Sequence, residues 1–319
     1  MEVASIVGAS LEAGGSGDSH YRKLDNIEEG QQKASEIEPT ATDSWRSDLA
    51  RHFAVFVVLL IWALCIGLGK VDTSRIFILE RDPSISFPYV NAQVPVSLLV
   101  GISVGVPCGF VVICATLVFR YNSSSKNYVT VLTMAFLLLT LAQCLLLADG
   151  ITNTIKVLVL RPRPNFLAYC DYKGFQLASS SGNYTSYNLA TQPNAVGSTS
   201  SCLSKSSLPD SVLSFPSGHS SLSFAGMTFV SLLLKHAIEG WGQFKLLGLH
   251  GAIVAAPLFL SSWVAITRIQ DYFHHEDDVM MGSFIGASAS IFVFNAAKPL
   301  LDGCGVRRPS HKLKARIEE

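Results

Sequence analysis

This chain is short of charge. Lys, Arg, Asp and Glu make up 15% of its 319 residues, against roughly a quarter in an ordinary water-soluble domain. Too little polar surface remains to coat a large soluble fold. Amphipathic stripes are scarce too. The apolar residues come in runs that are apolar all round, which excludes reading them as half-buried helices of a soluble protein. No basic patch of a size suited to nucleic acid occurs outside the short C-terminal tail, so no nucleic-acid partner is expected. The N-terminus lacks a basic start followed by an apolar h-region. A cleavable signal peptide is therefore not expected, and the first apolar span is expected to act as an uncleaved anchor.

What the chain does have is hydrophobic residues, 49% of the total with a mean hydropathy of +0.36. They cluster near the ~20 residues needed to cross a bilayer. The runs are about Phe53–Gly69, Val94–Phe119, Tyr128–Ala148, Ser220–Leu234, Leu246–Ile266 and Val279–Ala297. The fourth is short and extends back through Gly218 and Ser217. The expected fold is all-α, a polytopic membrane protein built as a six-transmembrane-helix bundle. Residues 1–50, with ten acids and four bases and few aromatics, read as a disordered cytosolic tail. Residues 51–300 read as the membrane domain, with a long non-cytosolic loop over 161–213, and residues 301–319 as a basic cytosolic tail. Bases near the span ends set the orientation. Arg46, Arg51, Arg120, Lys126, Lys235, Lys245 and the basic C-terminal residues fall on one side, taken as cytosolic. Arg75, Arg81, Arg161, Arg163, Lys173, Lys205 and Arg268 fall on the other, three of them in or beside the stretches described next. The expected location is an endoplasmic-reticulum, other endomembrane or plasma membrane.

Cys65, Cys108, Cys114 and Cys144 lie inside spans as small packing residues. Cys170 and Cys202 share the long loop on the oxidising side, where a disulfide between them is the expectation. That loop also holds Asn183-Tyr-Thr, a glycosylation sequon; the one at Asn122 would face the cytosol.

Three stretches carry the chemistry, each where an apolar span meets a polar loop. In the first, Lys156 and Arg163 stand seven apart, about 700° of helical rotation, so both could project from one face while Arg161 points away. Pro162 and Pro164 then end or bend the helix. The plainer reading is interfacial Lys and Arg snorkelling to headgroups. In the second, Pro216-Ser217-Gly218-His219 opens a helix whose free N–H groups suit an anion. Gly218 would let backbone approach a phosphate, and Ser217 would add a hydroxyl; a merely capped helix with an interfacial His is the alternative. In the third, Arg268 precedes His274-His275-Glu276-Asp277-Asp278. A helical start would stack His274 and Asp278 on one face, with the carboxylate on Nδ1–H and Nε2 left to attack. His275, three residues from Asp278, competes on spacing alone. The acidic-histidine run could instead ligate a metal, but no second ligand set stands nearby and three cations surround it.

Together these stretches resemble the signature motifs of the type 2 phosphatidic acid phosphatase (lipid phosphate phosphatase) superfamily, KxxxxxxRP, PSGH and SRxxxxxHxxxD. Lys156, Arg163 and Pro164 match the first, Pro216 to His219 the second, and Arg268, His274 and Asp278 the third. Thr267 stands where the family has Ser and keeps the hydroxyl. The similarity spans roughly residues 53–297. The surroundings, with Arg81-Asp82-Pro83 and Phe87-Pro88-Tyr89 between the first two spans, look closest to the phosphatidate/diacylglycerol-pyrophosphate phosphatase branch. The resemblance selects His274 over His275 and Arg163 over Arg161.

It implies a phosphohistidine on His274 supported by Asp278, and His219 as general acid. Lys156, Arg163, Ser217, Gly218 and Arg268 would bind phosphate, with no metal or cofactor. Substrates would be membrane phospholipid phosphates, met at a site on the non-cytosolic membrane interface. A polyprenyl-pyrophosphate or sphingoid-phosphate phosphatase, and a catalytically silent relative, are the rival readings. Small-residue ridges at Gly101, Gly105 and Gly109 and at Gly282 and Gly286 suit close packing within the bundle, or else a homo-oligomer. Asp149 could pair with Lys156 or face water.

Overall fold

The computed structural model describes residues 41–69, 71–121, 127–175, 195–241 and 247–303. Asn183, most of the N-terminal tail and the basic C-terminal tail lie outside the described residues. Residues 1–48 and 49–319 form two units.

Helix α1 spans Ala41–Gly67, so it begins well before the boundary at residue 51 drawn from composition. The strand β1, Ile78–Leu79, follows in the first loop. Helix α2 opens after Pro95 as Val96–Val100, passes through a π-helical turn at Gly101–Gly105 and continues as Val106–Tyr121. Helix α3 covers Asn127–Val159. The short helices α4, Phe166–Tyr169, and α5, Leu208–Ser211, flank strand β2, Val196–Gly197. Helices α6, Gly218–Trp241, α7, Leu247–Gln270, and α8, Glu276–Gly303, complete the order. Six of these helices are long and apolar enough to cross a membrane, α2 by its combined run. The chain is an all-α polytopic membrane protein.

Helix α6 is the hub, packed against α8, α7 and α3. Close approach there depends on glycine. A side chain at Gly282 would strike the Ser217 carbonyl, and one at Gly286 the Ser221 carbonyl, so α8 lies directly on α6. The ridge at Gly101, Gly105 and Gly109 behaves differently: nothing described lies within 4 Å of an added Cβ there. The expectation that this second ridge packs inside the bundle is therefore corrected. The π-helical turn in α2 instead brings the Ser103 main chain against Gly226. Hydroxyls tie the buried helices across apolar surroundings, Thr152 to Ser221 at 2.9 Å, Ser261 to the Ser223 carbonyl at 3.1 Å and Ser290 to the Ala225 carbonyl at 2.6 Å.

Above the helix ends, the described parts of the two loops are not loose. They form a small cap with its own apolar core of Ile78, Ile85, Phe166, Leu167, Tyr172, Phe175, Leu208 and Val212. Strands β1 and β2 pair antiparallel within it. Cys170 and Cys202 are joined in a disulfide with Cα atoms 5.2 Å apart. The buried Glu80 carboxylate accepts from Tyr172 Oη at 2.9 Å and from Lys173 Nζ at 2.6 Å, joining the first loop to the second.

Candidate active site

The ends of α3 and α7 and the starts of α6 and α8 meet beneath this cap. Each is terminated by a local device. Helix α3 stops at Val159, before the prolines, because Leu160 adopts a left-handed φ of 51°. This corrects the helical-phase expectation for the first stretch: Lys156 is on the helix, while Arg163 enters from the loop after the turn. Helix α7 ends similarly, with Tyr272 at φ 57°. The reversed chain then donates Phe273 and His274 N–H to the Arg268 carbonyl at 3.1 and 3.3 Å. His274 thus precedes α8, and helical stacking does not bring it to Asp278. Asp278 instead sits in the first turn of α8, where its carboxylate reaches back to the His275 N–H at 2.8 Å and closes the helix start. Ser217 caps α6, its Oγ accepting from Ser220 N–H at 3.4 Å.

Main-chain and side-chain bonds link the three stretches. Lys156 Nζ donates to the Leu213 carbonyl at 2.9 Å, ahead of the Pro216–His219 turn. Ser217 N–H donates to the Asp278 carbonyl at 2.9 Å. Arg163 N–H donates to the Ser211 carbonyl at 2.9 Å, and Asn165 N–H to the Tyr272 carbonyl at 3.2 Å. An added Cβ on Gly218 would lie 3.8 Å from Lys156 Cε. Guanidinium carbons of Arg163 and Arg268 lie 5.5 and 5.7 Å from the Phe273 ring centroid. The predicted residues Lys156, Arg163, Ser217, Gly218, His219, Arg268, His274 and Asp278 are thereby gathered at one end of the bundle.

His274 is buried, and its Nδ1–H donates to the Ser214 carbonyl at 2.7 Å. The Asp278 oxygen stands at 3.8 Å from the same nitrogen. A main-chain carbonyl therefore fixes the ring, which corrects the expectation that the carboxylate does so alone. Nε2 is left unprotonated. Burial pushes the His274 pKa down to about 3, with Arg163 and Lys156 lowering it further and Asp278 opposing. The imidazole is neutral at physiological pH. His275 Nδ1 lies 3.3 Å from Asp278, nearer than His274. His219 is pinned alike: its ring hydrogen-bonds the Val94 main chain, while Nε2 is buried without a partner among the described residues.

Four side chains emerge that sequence reasoning passed over. Ser214 Oγ donates to Asp278 at 2.5 Å. Arg161, set aside on helical phase, donates to Asp278 at 2.7 Å and to Asp277 at 2.5 Å. Asp210 grips Arg163, its Oδ1 accepting at 2.7 Å and its carbonyl at 2.8 Å, and accepts from Tyr169 Oη at 2.9 Å. Arg163 and Lys156 hold the Asp210 pKa below the usual carboxylate range despite burial. Asp271 pairs with Arg268 at 2.9 Å. Asp149 accepts from Asn153 at 2.9 Å, and the Lys156 hydrogen bond goes elsewhere. Only Arg161 carried a readable signal, the Arg-Pro-Arg-Pro repeat.

Among the described residues, no three His, Cys, Asp or Glu side chains gather as a metal site would need. The arrangement offers a neutral imidazole with one free nitrogen, a second imidazole with its Nε2 unpartnered, three cations and a helix N-terminus. Chemically, that set can bind a phosphate dianion and accept its phosphorus.

The sequence profile of the PAP2 superfamily matches residues 137–301, more than half of the chain. Lipid phosphate phosphatase 1 of Arabidopsis thaliana is 29% identical over 253 residues, covering 78% of this chain and 68% of that protein. Probable diacylglycerol pyrophosphate phosphatase 1 of Schizosaccharomyces pombe is 28% identical over 251 residues, covering 78% and 81%. Phospholipid phosphatase 1 of Rattus norvegicus is 31% identical over 250 residues, covering 75% and 83%. No solved structure matches the chain.

Proposed function

The chain belongs to the PAP2 superfamily, and from that membership we propose that it is an integral-membrane lipid phosphatase acting on phosphatidate, diacylglycerol pyrophosphate and related lipid phosphates through a phosphohistidine. The observation that carries this reading is the His274 ring, whose Nδ1–H is committed to a carbonyl within reach of the Arg163 and Lys156 charges. Its Nε2 lone pair attacks phosphorus. The bond from phosphorus to the lipid oxygen breaks as His219, which takes up a proton on its free Nε2 when the anionic substrate binds beside it, gives that proton to the oxygen. Where the substrate is a diphosphate, the departing group is phosphatidate. Water then attacks the phosphohistidine, His219 takes a proton from it, and inorganic phosphate leaves.

Lys156, Arg163 and Arg268 neutralise the non-bridging oxygens, while Ser217 and the first N–H groups of α6 donate to them. Arg163 is suited to this by its rigid mounting between Asp210 and the Phe273 ring. These fixed charges supply what a metal ion would otherwise bring, so the reaction runs without one. The site opens on the non-cytosolic face, where a headgroup lies just outside the hydrocarbon while acyl chains stay among the helices.

The test is purified protein given phosphatidate, its lyso form and diacylglycerol pyrophosphate in detergent with a chelator. Phosphate release blocked by vanadate is the expected result. No release from any of the three, or release that stops with chelation, would defeat the proposal.

A further inference from the structure

The segment Phe87–Val94, between α1 and α2, lies upstream of all three motif stretches yet touches each of them. Phe87 N–H donates to the Pro164 carbonyl at 3.0 Å, and its ring stacks on Tyr272 with centroids 4.7 Å apart. Tyr89 stacks on Tyr169 at 5.4 Å and meets Phe273 edge-on at 6.0 Å, the two rings that flank the Arg163 guanidinium. The Val94 main chain holds the His219 ring. Gln93 makes the most specific contact. Its N–H donates to Asp271 Oδ2 at 2.9 Å and its side-chain amide to Asp271 Oδ1 at 2.8 Å, with a longer bond to Gln270 at 3.3 Å.

Asp271 is almost wholly buried, and so is Arg268, the cation it pairs with. A carboxylate in that setting needs its lone pairs occupied, or it relaxes towards whichever donor is free. Arg268 uses Nη2 for Asp271 and for Thr267 Oγ1, and Nε for Thr267 Oγ1 at 3.2 Å. Among the described residues no hydrogen bond to Nη1 accompanies these. We infer that Phe87–Val94 is a fourth working part of the site, in which Gln93 fixes Asp271 and Asp271 orients Arg268 so that one guanidinium edge stays open to the substrate phosphate. Gln93 and Asp271 are positioning residues: they act through Arg268. The inference rests on the phosphatase reading for the identity of the phosphate-bearing substrate.

Vanadate binding to the purified protein, with no lipid present, is the test. Gln93→Glu sets a carboxylate against Asp271, and Asp271→Asn removes the charge that holds Arg268. Each should weaken vanadate binding about tenfold, the scale of one charge-assisted hydrogen bond. In an Arg268→Gln background, either change should cost less than about twofold, because the residue it acts through is gone. Equal losses in both backgrounds would mean a loosened loop and overturn the inference, as would unchanged affinity in both single variants. If Gln93→Glu fails to fold, Asp271→Asn decides alone. A protein that binds vanadate in this pattern but releases phosphate from no lipid would sink the functional reading and leave this one standing.

Discussion

At His274 a proton on Nδ1 ends on a main-chain oxygen, and that choice sets the residue's chemistry. Burial keeps a ring held by a carbonyl neutral, whereas one held by a carboxylate is drawn towards its charged form. His274→Ala should abolish phosphate release, while His275→Ala should leave most of it; the reverse outcome would move the nucleophile to the ring nearer Asp278. The pKa also has a sign that can be read. Its folded value of about 3 lies below the ordinary 6.5, so the unfolded chain binds the proton first as pH falls. Stability contributed by the neutral ring is present above the ordinary value and drains away between about pH 6.5 and 3. A nitrogen-15 histidine spectrum should show this ring neutral at pH 5; a midpoint near 6.5 would contradict the burial described. Asp210→Asn should lower kcat/KM about tenfold or more, by freeing Arg163 from a charge-assisted bond, and an unchanged value would make that pair merely structural. The eight motif residues were readable because the chemistry of seven lies in their side chains and that of Gly218 in the lack of one. Ser214 and Asp210 were not, since they act in part through their carbonyls, and the Arg161 repeat could not be assigned a direction past a turn made by a left-handed leucine that no composition signals.

Among the elements, the apolar runs located the spans but not their working ends. Helix α3 continues past Ala148 to Val159, and α8 starts at Glu276, because the site's polar residues occupy those extra turns. Apolarity fades where function begins. In sequence the cap looks like one long loop, since its Ser- and Gly-rich stretch resembles a linker and its core is assembled from two separated segments. Its disulfide closes a separation of 32 residues, worth ~3–4 kcal/mol in the chain-entropy picture. Cys170→Ser with Cys202→Ser should therefore lower the melting temperature, measured in detergent against the parent under non-reducing conditions. Activity should fall with it, because Asp210 and Ser214 hang from the same cap. Gly286→Leu should be more damaging than Gly105→Leu: the first would drive a side chain into the Ser221 carbonyl, the second into open space. Equal stability of these two variants would argue against the α6–α8 contact.

For the whole molecule, the distribution of bases predicts which side the chemistry faces, and that is checkable apart from catalysis. If the site opens away from the cytosol, Asn183 should carry a glycan removable by glycosidase, and Asn183→Gln should run faster on a gel with activity kept. A chain unmodified in a glycosylating host but modified at Asn122 would invert the topology.

Lys156, near the middle of the chain, depends on a carbonyl at Leu213, and the histidine at 274 on one at Ser214. Asp278 leads the final helix. A ribosome therefore delivers Lys156 and Arg163, then the proposed acid His219, and only afterwards Arg268 and the proposed attacking ring. Until that last helix is threaded into the bilayer, the newborn polypeptide can attract anionic lipid but has nothing with which to cut it.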